Sequence, residues 1–410
     1  MSRKLDYLVF DADNHMYETP DAFTRYLPVA YAGVVRYVEV NGRTKIALKN
    51  KISEYIPNPT FNVVAPPGAQ ELEFKLKNPA SKTRAAEGDI EPAPPPKYIP
   101  SVPAFFNPED RVVLMDELSI DRAMMWPTLA SLLEERLADD PRATHVVIHA
   151  LNQWMHEHWT FEFEGRIFPT PIVTLPILDE ALRELDWVLD HGARAILVRP
   201  APVPDYNGRR RSFALEEFDP FWARVQESGV LVGMHASDSG FQRYLNEWEG
   251  HDGEFLPFDR KRSAFAAIVG ADNRTISDVV ASIIGHGLAT RFPDVRFVPV
   301  ENGSAWVRPL VRKLERLYER SPKLFDEDPM VAFKRSIFVH PFHEEDTVGL
   351  VKLIGADNVV FGSDYPHPEG LFDPVTFVDE LEGLPEDDKR KVMGANLARL
   401  MGVDPAAKAA

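Results

Sequence analysis

Cysteine is absent from the 410 residues. Its absence excludes disulfides, thiolate metal sites, iron–sulfur clusters and a cysteine nucleophile, so any metal here must be held by histidine and carboxylate. Basic residues are in deficit: 46 Lys and Arg stand against 63 Asp and Glu, a formal charge of −17. That balance disfavours nucleic acid or an anionic membrane as a partner, because phosphates are repelled over most of the surface. Long hydrophobic runs are also missing. No stretch reaches the ~18 apolar residues of a membrane span, and the opening MSRKLDYLVFDADNH carries no apolar run of signal-peptide length. The expectation is a cytoplasmic protein acting on a small molecule.

What the chain does contain is short buried-type strands. Eight apolar runs stand out: Tyr7–Phe10 leading into Asp11–His15, Arg122–Pro127, Arg166–Thr174, Ala193–Pro200, Val230–His235, Arg296–Glu301, Ser336–His340 and Asn358–Asp364. Continuous apolar runs, rather than alternation, mark parallel strands covered on both faces. Between them lie helical segments, such as Asp179–His191 with Gly192 as its stop, Leu310–Arg320, Thr347–Ile354 and Pro141–Phe161. Strands alternating with helices predict a (β/α)8 barrel, an α/β TIM-barrel fold spanning residues 1–410 as a single domain. Residues 29–107 read as a long insertion between strands one and two. They hold a β-like stretch, Val34–Leu48, with an Asn41-Gly42 hairpin turn, and a proline-rich run, Glu91–Pro100. A decorated surface loop and a lid or dimer arm are both open readings of this segment. A second long loop, Asp238–Phe265, follows strand five, where barrel enzymes place substrate-contacting segments.

Ligand-capable residues fall where such a fold would gather them. Asp11, Asp13 and His15 alternate at the end of strand one and share one side of it; His235 ends strand five, Glu301 strand six and Asp364 strand eight. The carboxyl ends of barrel strands ring one mouth, so these residues are expected to converge. A thiolate-free cluster of His, Asp and Glu suits zinc, iron or manganese. Asp11, nearer the barrel floor, is expected to brace backbone amides instead. Arg199, ending strand four, has the fork geometry to grip a substrate carboxylate, with a rim salt bridge as the equal alternative. His286, His340 and His367 are further candidates for the pocket, His286 also fitting a helix C-terminus. His145, His149, His156 and His158 belong to a helix outside the barrel and are expected to take helix-surface or packing roles.

These segments together resemble the amidohydrolase-related (amidohydrolase 2) branch of the amidohydrolase superfamily, the group that contains aminocarboxymuconate semialdehyde decarboxylase and the resorcylate and carboxyvanillate decarboxylases. The resemblance rests on DADNHMYETPDAF at Asp11–Phe23, the NPEDRVVLMDELSIDRAMMWPT entry to strand two and GMHASD at Gly233–Asp238. It extends through RFPDVRFVPVENGSAW at Arg291–Trp306, GSDYPHPEG at Gly362–Gly370 and the KVMGANLARLMGV helix with Asn396. It implies that Asp13 and His15 occupy the first-strand metal motif, His235 the fifth-strand ligand, and Asp364 the eighth-strand aspartate that binds metal and handles protons. Glu301 stands where the decarboxylases carry a histidine; as a carboxylate it can be a further ligand, a general base or the anchor of a second ion.

The expected function is a metal-dependent hydrolase acting on a small organic amide, ester, thioester or lactone, with Asp364 and Glu301 as proton carriers and one or two divalent ions, zinc favoured over iron or manganese. An ion with an open position lowers the pKa of water there to about 7. The alternative is a metal-dependent decarboxylase of an aromatic or enoic acid on the same scaffold, and a ligand-sensing barrel without turnover is a third reading. The insertion and the family habit suggest a homodimer.

Overall fold

The computed structural model describes residues 3–70, 73, 96–253 and 263–404. Residues 91–95 of the proline-rich run and 254–262 of the loop after strand five lie outside them.

Two three-stranded parallel sheets form the centre. In one, Phe10–Met16 pairs with Arg122–Pro127, which pairs with Ile167–Pro169. In the other, Leu231–His235 lies between Ala195–Leu197 and Phe297–Val300. Parallel bridges connect them: Ile172 to Leu197, Phe297 to Ile337, Val339 to Val359, and Asn14 to Tyr365. The pairings therefore run from the first strand through each expected segment and back to it. Six of the eight expected segments contain regular strands; Ser336–His340 and Asn358–Asp364 pair through single bridges and backbone bonds such as Val360 N–H to Val339 O at 3.0 Å. Every residue of Phe10–Met16, Arg122–Pro127 and Leu231–His235 is buried, which is why these strands read as unbroken apolar runs.

Helices cover the strands. Leu178–Asp190 ends as expected before Gly192, whose φ of 90° takes the chain out of the helix. Pro141–Trp159 begins on Asp140, whose side chain accepts from Ala143 N–H, and buries Trp154 and Trp159. Its histidines pack, as expected: His145 Nε2 accepts from Ile177 N–H at 3.1 Å, and His149 bonds Glu184 at 2.8 Å. The helix Pro108–Glu117, capped by Asn107, places one residue directly under the site. Arg111 is 1% exposed and donates to Asn14 Oδ1, to the carbonyl of His15 and to that of Ala104, tying the end of the first strand to the chain that leads into Arg122–Pro127.

Between the first strand and Arg122–Pro127 the chain forms a three-stranded antiparallel sheet, Val35–Val40, Arg43–Leu48 and Lys51–Ser53, and pairs Val63–Val64 with Ile99–Pro100. The turn sits at Asn41-Gly42, with φ of 52° and 72°, the left-handed pair that a two-residue hairpin requires.

Candidate active site

The strand ends gather the polar residues around Asp13. Its carboxylate is fully buried, lies 3.3 Å from His15 Nε2, 3.4 Å from His235 Nε2 and 3.4 Å from His340 Nδ1, and has no hydrogen-bond partner for either oxygen. His15 and His235 face one another Nε2 to Nε2 at 3.1 Å. The Nδ1 of His235 lies 2.9 Å from the carbonyl of Ala236 and donates to it in the neutral ring, leaving the Nε2 lone pair aimed at the cluster. Glu301 Oε2 stands 3.2 Å from His235 Nε2, and Asp364 Oδ1 3.3 Å from His15 Nε2. Donor atoms of Asp13, His15 and His235 all fall within 4.8 Å of one another, as do those of His15, Asp364 and His367, and of Glu301, Asp364 and Glu369.

Two of these acids hold unusual backbone. Glu301 and Asp364 have φ of 55° and 56°, a left-handed conformation that costs a non-glycine residue roughly 1–3 kcal/mol. Surrounding bonds hold each in place. Glu301 N–H donates to His340 Nδ1 at 3.2 Å, and His340 Nε2 in turn faces the carbonyl of Gly362 at 3.2 Å. Asp364 N–H donates to the carbonyl of Asp13 at 2.7 Å, and its Oδ1 meets His367 Nδ1 at 2.8 Å. Gly362 is glycine for lack of room: a Cβ there would sit 2.6 Å from Asp13 Cβ.

Asp11 does what its position suggested. Its oxygens accept from Asp13 N–H, Ser363 N–H, Asn14 Nδ2 and Ser363 Oγ, joining the first strand to the eighth segment. Burial pushes its pKa up to about 7 against those bonds. Burial likewise raises Glu301, with the charges of Asp364 and Asp13 adding to it, and raises Asp364 beside Asp13. For Asp13, burial is outweighed by the imidazole groups of His15, His235 and His340 packed against it, which hold its carboxyl below the usual range. Burial lowers His15, while His235 is raised because Glu301 and Asp13 overcome its burial. The cluster thus divides into one acid that favours ionising, acids that resist it, one imidazole that favours protonation and one that resists it.

The donor set fits a divalent cation. An orphaned buried carboxylate and two imidazole nitrogens facing each other at 3.1 Å form a donor set that a positive charge among them would satisfy, and among the described residues no lysine or arginine is paired with them. Residues that would hold it are Asp13, His15 and His235, with Asp364 and Glu301 alongside.

A cavity of about 930 Å3 opens over this floor, lined by His15, His235, Glu301 and His367, and walled by residues of the first strand's extension and of the antiparallel segment, including Tyr17, Tyr55 and Phe61. Tyr17 stacks on Phe61 at 4.2 Å. Residues 42–44 and 55–65 reach the cavity, so the segment after the first strand contributes walls rather than remote decoration.

The structure does not bring three candidates to the cavity. Arg199 is buried in a salt bridge with Glu135 at 3.0 Å and donates to the carbonyl of Asp238, so the rim salt bridge, rather than substrate contact, is its observed role. His286 is exposed past the end of Ala271–Gly285, 2.9 Å from Ser282 Oγ, and does not line the cavity. His340 lies behind Asp13, 2% exposed, supporting the floor rather than facing the cavity. Sequence reasoning passed over Tyr17, Thr128, Asn302 and Glu369. Tyr17 continues the alternation of Asp13 and His15, and Thr128, 3.4 Å from His15 Nδ1 and 3.3 Å from His367 Nε2, follows strand two directly, so both carried a positional signal.

A (β/α)-type arrangement with a buried His/Asp/Glu cluster at its strand ends defines a class of metal-assisted enzyme scaffold, and comparison with known proteins sharpens it. The chain belongs to the amidohydrolase family, whose model matches residues 80–403. It is similar to an amidohydrolase from Mycobacterium avium subsp. paratuberculosis K-10, with 37% identity over 97% of this chain and 100% of that one and a TM-score of 0.86. A dihydroxybenzoic acid decarboxylase from Polaromonas sp. JS666, solved with manganese and the inhibitor 2-nitroresorcinol, shares 15% identity and a TM-score of 0.55, with 97% of each chain covered; that likeness is one of fold. A 2-amino-3-carboxymuconate-6-semialdehyde decarboxylase from Dictyostelium discoideum is 33% identical over 64 residues, 15% of this chain. The chain spans only 18% of that curated relative's length in the match. No helix among the described residues is long and apolar enough to cross a membrane.

Proposed function

We propose that the protein is a metal-dependent hydrolase built as a (β/α)8 barrel, cleaving a small organic amide, ester, thioester or lactone at the floor of the cavity. The observation that carries this reading is the Glu301 carboxylate, 3.2 Å from His235 and opposite Asp364, at a cluster with an orphaned Asp13. Asp13, His15 and His235 would hold a divalent cation, which when bound would supply Lewis-acid polarisation of a carbonyl and a lowered pKa for water. The chain's own groups do the rest. Glu301 Oε2 and Asp364 Oδ1 are the acceptors within reach of a proton leaving the attacking water, and either can return it to a leaving group. His367 holds Asp364 Oδ1 at 2.8 Å and is itself placed by Thr128. The Tyr17–Phe61 stack excludes bulk water from one wall.

A second reading, non-oxidative decarboxylation, is favoured by the names of relatives, which include decarboxylases. Against it stands Glu301, at the position where the resemblance gives the decarboxylases a histidine. The two readings part in one experiment: metal-loaded protein in 18O-labelled water, screened with esters, lactones and anilides beside ortho-hydroxybenzoic acids. Hydrolysis puts one 18O into the product acid and releases no carbon dioxide. Carbon dioxide without label in the organic product overturns hydrolysis in favour of the second reading.

A further inference from the structure

The cavity is much larger than a single-ring substrate needs, and its lining joins buried polar residues to an exposed hairpin tip. A pocket of ~150 Å3 already houses a benzene ring; this one holds about 930 Å3. At its floor stand His15, His235 and Glu301. Its walls are aromatic, with Tyr17 stacked on Phe61 and Tyr55 buried beside them. The hairpin tip, Gly42, Arg43 and Thr44, also lines it, with Gly42 and Arg43 exposed to solvent. Among the described residues, Arg43 is the one lysine or arginine that lines the cavity, and it has no ion-pair or hydrogen-bond partner there for its side chain. Arg199, the guanidinium that could have met an anion near the floor, is taken by Glu135 and the carbonyl of Asp238.

From this layout we infer that Arg43 is a specificity-determining residue: the substrate is elongated, with the reacting group on the floor, an apolar stretch against the aromatic wall, and an anionic group at the far end that Arg43 reads. The hairpin thus selects the substrate by its distal charge. A guanidinium fork pairs with a carboxylate through two parallel bonds, and an exposed arginine with no competing acid is free to do so. The inference rests on the reading of a cation at the floor, since that fixes which end of the ligand lies deep.

Hydroxamates test it without knowledge of the substrate, because the hydroxamate head chelates a divalent ion. Calorimetric titration of the metal-loaded protein compares octanohydroxamic acid with the mono-hydroxamate of suberic acid, whose tail ends in a carboxylate, and with the corresponding terminal amide. The expected result is a preference of about three- to tenfold for the carboxylate tail, shrinking at high salt. Arg43→Ala abolishes that preference while binding octanohydroxamate as wild type does, and Arg43→Lys keeps part of it. Equal binding of all three tails overturns the inference and leaves the cation reading intact. A preference that survives in Arg43→Ala overturns the assignment to this residue. If no hydroxamate binds the metal-treated protein, the cation reading fails and the inference falls with it.

Discussion

Two groups of buried charge stand side by side on the same rim of the fold. Around Glu135, the guanidinium groups of Arg199, Arg210 and Arg243 converge on one carboxylate, and Arg136 lies 3.4 Å from Asp238. Charge meets opposite charge there, and those three arginines hold Glu135 below the ordinary carboxylate range although burial alone would raise it. Around Asp13 the reverse holds: carboxylates meet carboxylates, imidazole lone pairs meet each other, and both oxygens of Asp13 lack a hydrogen-bond partner. A closed ion network supports structure. An open one, kept by two residues in left-handed backbone, is a place prepared for something else.

Crossed substitutions break or sustain this contrast most directly. His235→Ala is expected to reduce turnover to background while leaving the thermal midpoint of chelator-treated protein unchanged or higher, because it relieves an uncompensated cluster. Glu135→Ala is expected to do the opposite, destabilising by about 3–5 kcal/mol through the guanidinium groups it strands while metal content in the folded fraction stays at the wild-type level. Thermal melts with and without chelator, alongside activity, separate the two. Equal melting losses in both variants would erase the distinction.

A smaller effect is expected at His367, which supports Asp364 rather than joining the cation. His367→Gln should lower kcat by about 10- to 100-fold, with metal content kept and the pH profile displaced, since the partner of Asp364 Oδ1 has changed. An unchanged pH profile with reduced kcat would make His367 a packing residue only.

Glu18 belongs to neither network, and the effect expected there is one of pH alone. One of its oxygens accepts from Leu129 N–H at 2.7 Å and the other is buried without a hydrogen-bond partner. Burial pushes its pKa up to about 8. The folded state therefore holds a proton that the unfolded chain releases near pH 4.5, so this group's contribution is fully present below that pH and is lost as pH rises towards 8. Glu18→Gln keeps an acceptor for Leu129 and should flatten that decline, which approaches ~1.4 kcal/mol per pH unit. Urea unfolding at pH 5, 6.5 and 8 reads the slope; parallel slopes in the two proteins would show that Glu18 is already ionised.

Much of this was legible in the residues because buried parallel strands leave few polar positions, and those at their carboxyl ends stand out. Asp13, His15, His235, Glu301 and Asp364 each close an apolar run, and the structure brings all five together. Arg199 also closes one, but which partner a rim arginine takes depends on Glu135, far away in sequence on a short helix, and no periodicity announces that contact. His286 failed as a pocket residue for a related reason: its helix ends in solvent, a matter of packing direction rather than composition. The cavity wall was the least legible part. Phe61 reaches it through an irregular stretch with few of the alternations that mark a buried face, and Arg43 sits on a hairpin whose turn was legible but whose place at the cavity was not.

The central claim is that the open cluster holds a divalent cation, and elemental analysis tests it before any substrate is known. Protein purified with neither added metal nor chelator is compared with Asp13→Asn, His235→Ala and Glu135→Gln. One or two equivalents in wild type, lost in the first two variants and retained in the third, is the result this account expects. Wild-type protein that carries no metal and takes up none on titration would contradict it.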